Sequence, residues 1–530
     1  MYDLARHRLE SIYKRGSERP LAGRMVGVEK ECLRVAADGN LSALDHPYEL
    51  GSALTHPSIT TDFSEALLEM VTPPYADLSN TLQHLADVQN FVYSKLPEGE
   101  LLWATSMPCG LKLDSDVPVG RYGTSNIGQM KQVYRRGLGL RYGRKMQAIA
   151  GVHYNYSYPD SFWDLLREVE GDTNTGKRDY VTAQYFALAR NVLRFGWLIP
   201  YLFGASPAVC GSFFGQKRPP ENMKRHAGKT FYEPYATSLR MGDIGYQNNR
   251  DESATVNASY NSVHEYVEFL KSSITTASGK YEQLGLLDAD GEFQQLNTNL
   301  LQIENEHYSS IRPKQITEPL EMPALAMERR GIRYVELRSL DVNAYDPLGI
   351  NDEQLRFLES FMLFCMLCES PPMDAAEQVQ NKRNLIAVAH RGRDPDLMLE
   401  RGAEKVSLRQ WGSDILDVIG ELCDLLDVEG RPNVYCNSLT QQLNKLHNPS
   451  ETPSGMMLQE LIDNDEDFFT LGLRMSKQHH DQSAVLSQEK QKQFEQSVSE
   501  SHRKQAEIEA ADNIPFEDFL RDYHAQLPAS

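Results

Sequence analysis

The chain has 530 residues, 41% of them hydrophobic and 24% charged, with a formal net charge of −20 at pH 7. This is the composition of a globular protein with room for a large buried core and about two to four domains. Its sign opposes general binding to nucleic acid or anionic membrane surfaces, but small anionic substrates stay open because metal ions reverse the sign of a local site.

The N-terminal stretch MYDLARHRLESIYKR carries no apolar core of a signal peptide, and the chain is read as cytoplasmic. Next comes MVGVEKECLRVA, residues 25 to 36, a strand by composition. Side chains of a strand alternate, so Glu29, Glu31, Leu33 and Val35 share one face, while Val28, Lys30, Cys32 and Arg34 share the other. Two carboxylates therefore turn with two aliphatics. LLEMVTPP repeats the pattern, with Glu69 alternating between Leu67 and Val71, and Asp62 lies just upstream in ITTDFSEALLE.

Residues 81–97 have helical spacing, as do 177–198 and 258–284. Between them, GVHYNYSY sets His153, Asn155 and Ser157 opposite Val152, Tyr154 and Tyr156. The uncharged run 195–214 is long enough to span a membrane, yet Pro200 and Pro207 interrupt it, which favours a core segment broken by turns. TNLLQIENEHY and IRYVELRSL read as strands, the second placing Tyr334, Glu336, Arg338 and Leu340 on one face.

From about residue 350 the pattern becomes helical, ending in a polar segment that reads as a long solvated helix. The seven cysteines are scattered, and Cys365 and Cys368 sit in an apolar helical run, so buried thiols are expected rather than a disulfide framework or a zinc site. Strands and helices in irregular order indicate an α+β fold, with a catalytic part at 15–350 and a mainly helical part at 351–530.

Charge on one strand is ordinary when that face meets solvent. Glu29, Glu31, Glu69 and Glu336 accumulate on several strands, and two carboxylates about 4 Å apart repel by about 4 kcal/mol at an effective dielectric of 20. Divalent cations relieve this, and oxygen donors with an occasional His suit Mg²⁺ or Mn²⁺, whose shells are completed by water and phosphate. Phosphoryl transfer is the chemistry indicated. No G-x-x-x-x-G-K-[ST] is present, and RRGLGLRYG misses the dinucleotide fingerprint by one residue. A nucleotide would then be held by metals and cations such as Arg135, Arg240 and Arg338.

Eight ordered blocks carry a resemblance: VEKECLRVAADG, GSALTHPSITTDFSEALLEMVTP, RYGTSNIGQMKQVYRRGL, GVHYNYSYP, RFGWLIPYLFGASPAVC, YATSLRMGDIGY, LQIENEHYSSIRPK and YVELRSLDVNAYDPLGI. The chain resembles the bacterial glutamate–cysteine ligases (γ-glutamylcysteine synthetases) of type 1. The resemblance implies a glutamine-synthetase-like fold, a curved, mainly antiparallel sheet forming a funnel-shaped active site. It implies ATP- and Mg²⁺-dependent joining of L-glutamate to L-cysteine through γ-glutamyl phosphate, with glutathione as a feedback inhibitor. Carried onto matching positions, the metal ligands would be Glu29, Glu31, Asp62, Glu69, His153 and Glu336, with Glu336 and Arg338 catalytic. Tyr134, Arg135, Arg240, Tyr246 and Tyr308 would bind substrate. The acceptor pocket leaves open a related carboxylate–amine ligase that uses glutamate with another amine. Where the family often has Arg, this chain has Lys30, which faces away from the two glutamates.

Overall fold

The structure is a computed structural model that describes residues 2–15, 20–111, 113–215, 217–245, 258–427 and 433–527. Its strands in chain order are β1 (Met25–Val35), β2 (Ile59–Thr61), β3 (Leu67–Val71), β4 (Leu101–Leu102), β5 (Val152–Ser157), β6 (Ala208–Cys210), β7 (Lys224–His226), β8 (Thr230–Tyr232), β9 (Ile311–Lys314), β10 (Tyr334–Leu340), β11 (Met398–Arg401) and β12 (Glu404–Ser407). Seven build one sheet in the order β2-β3-β1-β5-β10-β9, with β4 paired to the end of β1, and every pairing in it is antiparallel. The α+β class expected from the element order holds.

Register explains the accumulation of acid. Glu31 lies opposite Glu69, Glu29 opposite His153, and Glu336 opposite both Asn155 and Arg312. Because side-chain direction repeats every two residues, this register turns all of these groups to one face of the sheet. The register of β10 shifts between Leu337 and Leu340, a bulge just beyond the site-facing stretch.

The opposite face is dry. Val28, Tyr154, Tyr156, Val335 and Leu337 are fully buried. The helix Leu78–Lys95 packs on β1 and β3, and the helix Lys177–Phe195 packs on β9 and β10. The almost wholly buried helix Asp352–Leu367 lies against both of those helices. The first starts where Asp77 accepts the Ser79 N–H (2.9 Å), the N-cap arrangement that short polar side chains favour.

One apolar cluster runs from Ala5 to Phe494, across the expected boundary near residue 350. The last sheet strand ends at Leu340, and after it the structure is helical apart from the β11–β12 hairpin. The polar helix Gln488–Ala511 buries only Phe494 and Ser501. The final helix, Phe516–His524, packs on the helix Asn126–Tyr142.

The uncharged run 195–214 contains the helix Leu198–Phe203, β6 and a 3₁₀ turn. Among the described residues no helix is long and apolar enough to cross a membrane. Cys365 and Cys368 are buried free thiols, and burial pushes both pKa values up.

Two expectations need correction. TNLLQIENEHY forms no strand; it is irregular, with a 3₁₀ turn at Glu304–Glu306. Side chains take backbone donors a ladder would need, Glu306 accepting the Gln302 N–H (2.7 Å) and Asn297 the Asn299 N–H (3.0 Å). The helical stretch 258–284 is two helices, Val263–Thr275 and Gly279–Leu284, the first capped by Ser262.

Candidate active site

A cavity of about 470 Å³ opens over the acidic face of the sheet. Its lining includes Glu29, Glu31, Asp62, Glu69, Tyr134, Arg135, His153, Arg240, Tyr308, Glu336 and Arg338. Of the residues singled out in the sequence, only Tyr246 lies outside the described residues.

His153 on β5 is the hub. Its Nδ1 lies 3.0 Å from Glu29 Oε2 and 3.9 Å from Glu336 Oε1, and its Nε2 lies 3.5 Å from Glu31 Oε1. Asn155 donates to Glu29 Oε1 (2.9 Å), and the Gly151 N–H donates to Glu31 Oε2 (2.7 Å). Glu336 is held from the other side by Lys314 (3.0 Å) and Arg338 (3.3 Å).

Burial disfavours ionisation of all four strand glutamates. At Glu29 burial is outweighed by the hydrogen bond and charge of His153 together with the charge of Lys314, which hold the carboxyl below its ordinary value. At Glu336 the charges of Lys314 and Arg338 do so, and its value falls well below. At Glu31 burial wins and the value rises. Glu69 is pushed furthest up, by burial and then by the charges of Glu29, Asp62 and Glu31.

One ligand atom each from Glu29, Glu69 and His153 can be placed within 4.8 Å of one another. Two carboxylates and an imidazole fit a hard divalent cation of the Mg²⁺ or Mn²⁺ kind. Burial and then the neighbouring acids raise Glu69, and a cation bound there would favour its ionised form.

The cationic wall comes from four elements. Arg338 continues the polar face of β10, and Arg312 and Lys314 project from β9. Arg240 donates to the Arg338 carbonyl (3.0 Å) and lies 3.8 Å from the buried Asp341, which also accepts from Ala205 N–H and Ser238 Oγ–H. Gly151 permits this approach, since a Cβ there would sit 2.1 Å from Arg240 Nη2.

Arg135 comes from the helix Asn126–Tyr142, which Ser125 caps by accepting the Gly128 N–H. Its guanidinium donates to the Asp62 carbonyl and lies 4.4 Å from the centre of the Tyr122 ring. Tyr308 donates to Met241 Sδ (3.4 Å), beside Arg240. Tyr523, from the last helix, also lines the cavity.

Sequence reasoning passed over Arg312, Lys314 and Lys131. The first two stand at period two in IRPK, a stretch of the blocks quoted above, but Pro313 weakens a strand signal that short. Lys131 lies four residues before Arg135, on the same face of one helix.

The geometry agrees with the comparisons. The family model described as glutamate–cysteine ligase matches residues 9–388. The chain is 45% identical to the glutamate–cysteine ligase of Alcanivorax borkumensis over 97% of its own length and 98% of that protein's. It is 43% identical to that of Pseudomonas putida over 100% and 99%. Among solved structures, the Francisella tularensis glutamate–cysteine ligase in complex with AMP superposes with a TM-score of 0.88 at 33% identity, covering 95% of this chain and 98% of that one. A bifunctional glutathione synthetase from Pasteurella multocida superposes with a TM-score of 0.70 at 25% identity, covering 89% of this chain and 54% of that longer one. The chain belongs to the glutamate–cysteine ligase family.

Proposed function

We propose that the cavity joins the γ-carboxylate of L-glutamate to the amine of L-cysteine, converting ATP to ADP and phosphate and releasing γ-glutamylcysteine. The observation that carries this reading is the convergence of Glu29, Glu69 and His153 within 4.8 Å, backed by Arg338 and Lys314, in a chain of this family. The AMP complex of the Francisella relative supports a nucleotide in the same fold.

Each group has a task in this reading. Glu29, Glu31, Asp62, Glu69, His153 and Glu336 would hold Mg²⁺, which would supply positive charge against the ATP phosphates. Arg338 stabilises the equatorial oxygens as the phosphoryl group moves. Tyr134, Arg135, Arg240 and Tyr308 bind and orient the amino acids. The γ-glutamyl phosphate formed is then attacked by the cysteine nitrogen, and phosphate leaves. Glutathione contains the γ-glutamylcysteine unit and would compete for the same cavity as a feedback inhibitor. The reaction belongs in the cytoplasm, where ATP and free thiols coexist.

The test is ADP release by the purified protein with Mg²⁺ and ATP, adding glutamate and cysteine singly and together. ADP formed only with both, with γ-glutamylcysteine identified by mass, is the expected result. Turnover with glutamate and another amine, but not cysteine, would transfer the reading to a different acceptor.

A further inference from the structure

Six basic side chains line the cavity: Lys131, Arg135, Arg240, Arg312, Lys314 and Arg338. Five meet oxygens of the protein by hydrogen bond or ion pair. Arg135 donates to the Asp62 carbonyl, Arg240 to the Arg338 carbonyl and Arg312 to the His307 carbonyl, while Lys314 and Arg338 both meet Glu336. Among the described residues, Lys131 Nζ has no such oxygen and lies 5.3 Å over the Tyr122 ring. It stands on the cavity-facing stripe of the helix Asn126–Tyr142, one turn from both Tyr134 and Arg135.

A reaction that consumes an amine needs a group to take its proton; of the lining carboxylates off the sheet, Glu304 accepts the Ala324 N–H, Glu321 is paired with Arg330 and Glu318 is exposed. Arginines stay protonated, and Lys314 is paired with Glu336. The glutamates and imidazole of the sheet face are committed to the metal in the reading above. Burial pushes the hydroxyls of Tyr122 and Tyr308 above their ordinary values.

We propose, resting on the ligase reading, that Lys131 is the proton acceptor for the cysteine ammonium. Its surroundings suit the task. Burial and the neighbouring charge of Arg135 push its pKa down to about 8, with Glu69 of β3 opposing them. A base is most effective when its pKa lies near the operating pH.

In the step, the neutral Lys131 amine takes one proton from the cysteine ammonium. The freed nitrogen attacks the γ-acyl carbon of glutamyl phosphate, the C–N bond forms and the C–O bond to phosphorus breaks. Phosphate leaves with the electron pair and takes the second proton from nitrogen, departing as hydrogen phosphate.

The experiment compares cysteine with hydroxylamine, whose nitrogen is already unprotonated at neutral pH, as saturating acceptors with ATP, Mg²⁺ and glutamate. The proteins are wild type, K131R, K131Q and E304Q. Glu304 is the control because it lines the same cavity, with one oxygen accepting the Ala324 N–H (3.3 Å) and Oε2 buried without a hydrogen bond.

The expected result is a loss of about 100-fold or more in kcat with cysteine for both Lys131 variants, unchanged melting temperatures, and hydroxamate formation close to wild type. E304Q should keep both reactions. The proposal is overturned if K131R retains the cysteine rate, since a fixed cation would then suffice. It is also overturned if both acceptors lose rate together, or if the acceptor-selective loss falls on E304Q. A wild-type protein that makes no γ-glutamylcysteine would instead overturn the ligase reading, before any variant is compared.

Discussion

The two faces of β1 carry charge in different ways. On the helix-covered face, Arg34 is fully buried and donates to Glu100 (2.7 Å) and to the carbonyls of Leu44 and Asp45, while Lys30 donates to Gln89 (2.6 Å) and the Pro347 carbonyl (3.0 Å). Those charges are met by fixed partners of opposite polarity. On the cavity face Glu31 stands opposite Glu69, acid against acid, beside Glu29 opposite His153, and Glu69 is raised by burial and then by the charges of Glu29, Asp62 and Glu31. Buried charge whose partners are all built in serves the fold; carboxylates crowded together beside a cavity, with cations along its wall, serve a ligand.

The sharpest way to break this contrast is at Glu336. Glu336→Gln removes a carboxylate that Lys314 and Arg338 hold ionised, and turnover should fall by about 10⁴-fold, roughly 5 kcal/mol in the barrier, with the circular dichroism spectrum unchanged. Near-wild-type ADP release would sink the assignment of this face to catalysis.

On the other face the expected cost is in stability. Arg34→Met leaves Glu100 buried without its ion pair and should lower the unfolding free energy by about 3 kcal/mol or more in denaturant titration. A loss below about 1 kcal/mol would mean that this pair does not hold the fold.

Mg²⁺ sharpens the comparison further. At about 100 times its Kd, the ion should add about 2.7 kcal/mol to the stability of the wild type. Glu69→Gln should lose most of that gain, whereas Gln89→Ala, next to Lys30, should keep it. Thermal melts with and without chelator decide between these outcomes.

The smallest effect concerns a satisfied charge beside the site. His390 lies 2.8 Å from Glu233 and 3.0 Å from Asp243, in the segment that follows Arg240. Burial pushes its pKa down, but the hydrogen bonds and charges of Asp243 and Glu233 outweigh burial and raise it from 6.5 to about 9. Because the folded value is the higher one, the stabilisation is complete below pH 6.5 and is lost as the pH rises through about 9. Between these limits the wild type should lose about 1 to 2 kcal/mol relative to His390→Gln, allowing for screening at the exposed Asp243. Parallel pH profiles for the two proteins would remove His390 from the account.

Much of this was legible before any coordinates. Period-two alternation placed Glu29 and Glu31 on one face and Lys30 on the other, and the strands at β1, β3, β5 and β10 followed from β-branched and aromatic runs between turns. What misled was LQIENE, where strand-like composition yields to the Glu306 side chain taking the Gln302 N–H.

Which residues alternate together follows from chain order alone, because it depends only on the geometry of each strand. Which strands neighbour one another was decided by the tertiary structure, since pairing joins residues far apart in the chain. Register set Glu31 against Glu69 and Glu336 against Arg312, and packing brought Arg240 through the gap left by Gly151. The partners of each charge, and with them the difference between a structural ion pair and a ligand-binding acidic face, exist only once those distant segments have met.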